Sequence, residues 1–174
     1  MTASLWEPGA ILLLSCYELG HQPLGLAWPR AFLERAGFAP TTIDLAVETL
    51  DETKVRRARL VAIAVPMHTA LRLGVRAAER IRRINSTCRI VCHGLYAELN
   101  AEHLLGRCAD VVLGAESEAA LVALARSSEA PAVTLGRIRT LAYARAGRAE
   151  AAGAFRNPPP ERPIPARLTE PWFC

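Results

Sequence analysis

An α/β fold, a doubly wound and mostly parallel five-stranded sheet with helices on both faces, is what this sequence predicts, and two observations carry it. Short apolar runs alternate with segments of helical period as far as about residue 125. The runs are apolar throughout instead of alternating with polar residues, as strands buried on both faces are.

Ala10–Ser15 (AILLLS) reads as the first buried strand. Leu26, Ala27, Phe32, Leu33 and Ala36 then mark a helix that stops at Gly37, a residue free to take the left-handed conformation of a helix end. Pro29 must lie in its first turn or kink it. Thr41–Leu45 is a second, weaker strand, followed by a short segment around Leu50–Arg57. Arg59–Val65 is the third strand. Thr69–Ile84 is the strongest helix, with Leu71, Val75, Ala78, Ile81 and Ile84 on one stripe and Arg72, Arg76, Arg80 and Arg83 on another. With Glu79 interleaved, the arginine stripe reads as a solvated outer face ahead of a docking surface. Arg89–Cys92 is the fourth strand, Ala97–Leu105 a helix, Asp110–Leu113 the fifth strand and Glu116–Ala125 a last helix. Right-handed crossovers fold such an alternation into a flavodoxin-like or Rossmann-like layer sandwich. The domain is expected over residues 8–127. Residues 128–174 form a basic, proline-rich extension in which Ala132–Tyr143 can add a strand or hairpin and the stretch from Asn157 to Pro165 is an extended linker.

Charge and composition exclude several classes. Net charge is +4, and the excess lies entirely beyond residue 125, so the body is neutral and does not suggest nucleic acid, where a basic face supplies most of the affinity. Apolar runs are too short to span a bilayer and the N-terminus lacks a basic residue ahead of an apolar stretch, so a cytoplasmic protein with no membrane partner is expected. Cys16, Cys88, Cys92, Cys108 and Cys174 are odd in number and widely spaced, which argues against a disulfide framework. Cys88 and Cys92 have a CxxxC spacing, but Leu95 stands where an iron–sulfur radical site needs its third cysteine. Cys92, His93, His103 and Cys108 are all zinc-ligand types, yet their spacing matches no common zinc module, and buried apolar thiols are the better reading.

In this architecture ligands bind outside the carboxyl ends of the strands, where the strand order switches. The loops at those ends supply Tyr17, Glu18, Gly20, His21, Pro23 and Gly25 after the first strand, and Met67, His68 and Thr69 after the third. They supply His93, Gly94 and Tyr96 after the fourth, and Gly114 and Glu116 after the fifth. Three of the four histidines thus converge on one edge. The first loop has no GxGxxG, no P-loop lysine occurs, Val65-Pro66 stands where a phospho-receiver domain needs an aspartate, and there is no nucleophile elbow. What remains is a pocket of glycines, small hydroxyls and histidines, suited to a large, flat, mostly apolar ligand.

Four stretches carry a family resemblance: ILLLSCYELGHQPLGLAWPRAFLERAGF, LVAIAVPMHTALRLGVRAAERIRRIN, IVCHGLYAELN and ADVVLGAESEAALVALA. Together, from about residue 10 to 125, the sequence resembles the cobalamin (B12)-binding domain at the N-terminus of B12-dependent radical SAM proteins. The resemblance places the family's helix start at Pro23–Gly25, its loop hydroxyl at Thr69, its loop glycine at Gly94 and its acidic turn at Glu116–Glu118, with Ala115 interrupting the usual Gly-Glu pair. It implies cobalamin as cofactor and partner, with a radical SAM catalytic domain or protein as a further partner. His21 has Leu19 two residues before it and Leu24 three after, so the Asp-x-His-x-x-Gly motif that ligates cobalt elsewhere in the family is absent. His21 is therefore expected to line the pocket without a ligating role, with Glu18 able to orient it. The CxxxCxxC motif of the catalytic domain is also absent. The expected function is a detached or truncated cofactor module with no catalytic residue, no metal ligand and no iron–sulfur cluster of its own. Two rivals are a doubly wound interaction scaffold and a small enzyme using His68 or His93 as an acid–base group.

Overall fold

The computed structural model describes residues 4–129 and 142–144. In chain order the elements are β1 (Ile11–Ser15), α1 (Leu24–Arg35), β2 (Thr41–Asp44), α2 (Glu52–Arg57), β3 (Leu60–Ala64), α3 (His68–Ile84), β4 (Arg89–His93), α4 (Leu95–Leu99), α5 (Ala101–Arg107), β5 (Val111–Leu113), α6 (Glu118–Glu129) and β6 (Ala142–Ala144). The sheet order is β2-β1-β3-β4-β5-β6. The first five strands are parallel and β6 pairs antiparallel to β5, Val112 opposite Tyr143. The expected doubly wound parallel sheet is present, and β6 adds a sixth, antiparallel edge strand from the segment expected to give a strand or hairpin. The remainder of that segment and the proline-rich stretch lie outside the described residues.

Local chemistry explains several helix boundaries. α1 ends in a Schellman arrangement: the Phe38 N–H donates to Leu33 O at 3.0 Å and the Gly37 N–H to Glu34 O at 3.0 Å, with Gly37 at φ +95°. Pro29 sits inside α1 beyond its first turn and is buried. Asp51 caps α2 by accepting from the N–H groups of Thr53 and Lys54. The single helix expected over Ala97–Leu105 is two, because Asn100 leaves the helical conformation at φ −122°, ψ +29° and its side-chain amide donates to Tyr96 O at 2.8 Å.

Strand alternation divides the core into two layers. Leu12, Leu14, Val61, Ile63, Ile90, Cys92 and Val112 point to the side covered by α3, where Val75, Ala78 and Ile81 meet them. Ile11, Leu13, Leu60, Ala62, Val91 and Leu113 point to the side covered by α1 and α6, against Leu26, Leu33, Leu121 and Leu124. Beyond the amino end of the sheet's middle, Arg82 and Asp110 form an ion pair at 2.7 Å. Asp110 also accepts the Ile90 N–H at 2.8 Å, which fixes α3 and the start of β4 together.

Candidate functional site

The strand order reverses between β1 and β3, and the crevice of this sheet type opens there, outside the carboxyl ends. The registers Ser15↔Ala64, Ala64↔His93 and His93↔Leu113 set these four residues in one row across the sheet. By alternation the row faces α1 and α6. Two of its members are small, and above them Gly25 starts α1: a Cβ on Gly25 would stand 2.7 Å from the Ala64 Cβ and 2.7 Å from Glu18 Oε1. The small residues leave a cleft of about 430 Å³. Ala64, Val65 and Pro66, together with His93 and Gly94, give it one side, and the opposite walls come from Glu18, Leu24, Gly25 and Trp28 and from Ala115, Ser117 and Glu118, with Leu95 at the mouth.

Glu18 builds the first wall. Its carboxylate accepts the N–H groups of Leu24 at 2.8 Å and Gly25 at 2.9 Å, the first free donors of α1. The expectation that Glu18 could orient His21 is replaced by this helix-capping duty. Leu19 and Gly20 both lie at positive φ, +54° and +77°, and the His21 N–H donates to Glu18 O at 3.0 Å, as in a type I′ turn. The turn holds His21 exposed at the surface and outside the cleft lining.

His93 is the polar centre of the cleft. It is the last residue of β4, not the first of the following loop as the sequence suggested, and is 4 % exposed. Its Nδ1 lies 3.0 Å from Ser117 Oγ, itself 1 % exposed. Its Nε2 is buried and has no partner among the described residues. Burial lowers the imidazole pKa from 6.5 to about 4, so the ring is neutral near pH 7. Gly94 follows at φ +110°, ψ +174°, where a Cβ would come 3.0 Å from Val65 O. The glycine is therefore needed by the backbone path that carries the chain out of the sheet over β3.

The sequence-derived residues divide. Glu18, Gly25, His93 and Gly94 come together in the cleft. Tyr17, Gly20, Pro23, Gly114 and Glu116 stand in the surrounding loops and Tyr96 in α4, all outside its lining, and Gly114 packs on the Glu98 carboxylate. Met67 starts α3 as its N-cap residue, and His68 and Thr69 follow, both exposed. No side-chain cap bond involves Thr69. Sequence reasoning missed Ser117, Trp28, Leu24 and Ala64. His93 and Cys92 point to opposite faces of the sheet and His103 is exposed on α5, which takes the zinc grouping apart. Cys16, Cys88, Cys92 and Cys108 are free and buried. Of the α3 arginines, Arg72, Arg76, Arg80 and Arg83 are exposed, with Arg80 3.6 Å from Glu52.

A doubly wound domain with a mostly apolar cleft at its topological switch point, lined by two carboxylates, a neutral histidine and a serine, defines a small-molecule or cofactor-binding protein. A family model described as the B12 binding domain matches residues 11–125, and the chain belongs to that family. Comparison with curated proteins gives no match. A cobalamin-type cofactor is accordingly the ligand and partner that the family implies. The residues present fit such a group: the cleft is the size of a drug-like moiety and offers an unsatisfied buried imidazole nitrogen. Its rim is apolar and open, with Leu24, Trp28 and Leu95 at 62 %, 57 % and 51 % exposure, a surface on which a larger flat ring can lie. No helix among the described residues is long and apolar enough to cross a membrane.

Proposed function

We propose that the chain is a cytoplasmic cobalamin-binding module that presents its cofactor to a radical SAM-type catalytic partner. The observation that supports it most is the cleft at the β1/β3 switch, where Ala64 and Gly25 make room and His93 offers a buried polar contact. Bound cobalamin supplies methyl-transfer or radical chemistry, which belongs to the cofactor and not to any side chain here.

The chain's own residues do four things. Glu18 fixes the start of α1 and so the width of the cleft. Leu24, Trp28 and Leu95 offer apolar surface to the ring and exclude water beneath it. His93 and Ser117 orient the inserted part by hydrogen bonding. Gly94 keeps the backbone between β4 and α4 clear of the opening. His21, exposed on its turn, carries no cobalt-ligating role in this reading.

Incubation with hydroxocobalamin followed by desalting tests the binding. Retention near one corrin per chain is expected, read from the visible spectrum, and complete loss of colour would overturn the proposal. The catalytic association is tested on the genome: a CxxxCxxC sequence is expected in frame after the Cys174 codon or in an adjacent gene, and its absence from both would remove that part alone.

A further inference from the structure

The His93–Ser117 pair says more about the ligand than its size does. The only partner that Ser117 Oγ has among the described residues is His93 Nδ1, at 3.0 Å. Ser117 precedes α6, but it supplies that helix with its carbonyl, which accepts the Leu121 N–H at 2.8 Å. A hydroxyl carries one hydrogen, and burying it without an acceptor forfeits the hydrogen bond it would make to water. The arrangement that satisfies Ser117 sends its hydrogen to Nδ1, which must then be the bare ring nitrogen, so the ring proton sits on Nε2. That Nε2–H is buried, in a residue that lines the cleft, and finds no acceptor among the described residues.

The charges around it narrow the choice of acceptor. The charged side chains lining the cleft are Glu18 and Glu118, both carboxylates, and no arginine or lysine joins them. Two anionic walls without a balancing cation disfavour a phosphate or carboxylate at this depth. A neutral acceptor meets the donor without that repulsion.

Resting on the cobalamin reading above, we propose that Ser117 fixes His93 in the Nε2–H tautomer and that His93 donates this hydrogen to a neutral acceptor, an amide carbonyl or an unprotonated ring nitrogen, on the part of the cofactor that enters the cleft. His93 is then the residue that selects which part of the corrinoid goes in. Cobalamin carries both kinds of acceptor: propionamide and acetamide carbonyls around the ring and, where its nucleotide tail is released from cobalt, a benzimidazole nitrogen.

The test is a long-range proton–nitrogen correlation spectrum of protein labelled with [15N]histidine near pH 7.5, with His93 assigned by its loss in His93→Gln. Free protein is expected to show His93 protonated on Nε2, and Ser117→Ala to show a mixture of tautomers. Cyanocobalamin at saturation is expected to shift the Nε2–H resonance and slow its exchange with water. Dicyanocobinamide, which lacks the nucleotide, separates the two acceptors: a shift with both corrinoids assigns a ring amide carbonyl, and a shift with cyanocobalamin alone assigns the benzimidazole nitrogen. In affinity, His93→Phe should weaken binding about tenfold, or about 1.4 kcal/mol, the scale of one lost hydrogen bond. His93→Gln, which keeps an N–H donor, should lose markedly less. A proton found on Nδ1 in the free protein, or a bound corrinoid that leaves the Nε2 signal unmoved, overturns the inference while cobalamin binding stands. Failure of the wild-type protein to retain either corrinoid overturns both. The wild-type spectra decide the matter even if His93→Phe does not fold.

Discussion

Cys92 and His93 are neighbours in β4, both buried, and they face opposite sides of the sheet. On the α3 side, Cys92 lies between its register neighbours Ile63 and Val112 in the buried core layer, and it shares a thiol hydrogen bond with Cys108. That bond and burial push the Cys92 thiol well above its ordinary pKa, so it is a neutral, satisfied core group. On the α1 side, burial keeps His93 neutral in the opposite sense, pushing its pKa down, but half of its hydrogen-bonding capacity is left over. The same strand thus builds a buried apolar layer on one face and a waiting contact on the other. The difference comes from the residues stacked above: Val, Ile and Leu from strand and helix on the closed side, Ala64 and Gly25 on the open one. A site arises here by withholding side-chain volume from one end of one face.

Truncation separates the two faces most strongly. Ile63 is fully buried on the closed side, its Cγ2 close beneath Gly74 of α3. Ile63→Ala should cost about 3 kcal/mol in urea unfolding, since the tightly packed layer can relax only partly around the cavity. Corrinoid affinity of the molecules that remain folded should be unchanged. Trp28→Ala on the open rim should do the reverse, shifting stability by less than about 1 kcal/mol because the ring is more than half exposed, while weakening corrinoid binding. Similar stability losses in both variants would show that the two faces are equally packed and that the cleft is not a prepared opening.

Acid sharpens the same contrast. The His93 pKa is about 4 in the folded chain and near 6.5 when unfolded, so below 6.5 the unfolded state binds the extra proton first. The stability contribution of the neutral ring is present above pH 6.5 and is lost as pH falls through 4. The loss reaches on the order of 3 kcal/mol at its limit. His93→Gln should flatten that part of the pH–stability profile between 6.5 and 4 relative to wild type. The Cys92 thiol, with its pKa raised, contributes nothing in this range. Profiles of wild type and variant that run parallel would mean that His93 is not buried neutral.

How much of this could be read from the sequence follows from the same geometry. The strands were legible because burial on both faces makes each an unbroken apolar run, and the end of α1 was legible because Gly37 announces it. The edge that carries the cleft followed from the fold class. The choice of face did not follow from composition. β1 to β2 and β3 to β4 run in opposite directions across the sheet, so right-handed crossovers place α1 and α3 on opposite faces. His68 and Thr69 therefore leave with α3, away from the α1 side, although their loop lies at the right edge. Ser117 was hidden because a serine before an apolar helical run reads as an ordinary helix start. Strand parity held the missing signal: had β4 been ended at His93, alternation from Val91 would have set it on the face of Ala64 and Ser15.

The smallest effect concerns the loop that carries the first cleft wall. Leu19 is a non-glycine residue at φ +54° and its side chain is largely exposed, so its backbone strain is offset by no visible packing. The left-handed conformation costs an ordinary residue about 1–2 kcal/mol. Glycine removes that cost but adds up to about 1 kcal/mol of chain entropy lost on folding. Leu19→Gly should therefore gain only about 0.5 kcal/mol, seen as a small rise in the urea midpoint at constant slope. The turn it relaxes holds Glu18 beneath the start of α1, so the gain belongs to the open side and should leave the closed layer untouched. If Leu19→Gly instead lowers stability, the leucine makes a contact in solution that offsets its strain, and the outer lip of the cleft is less open than the exposed leucine indicates. Corrinoid titration of the same variant then distinguishes the cases: unchanged affinity with higher stability means that the strain is incidental, and weaker affinity means that the leucine itself lies against the ring.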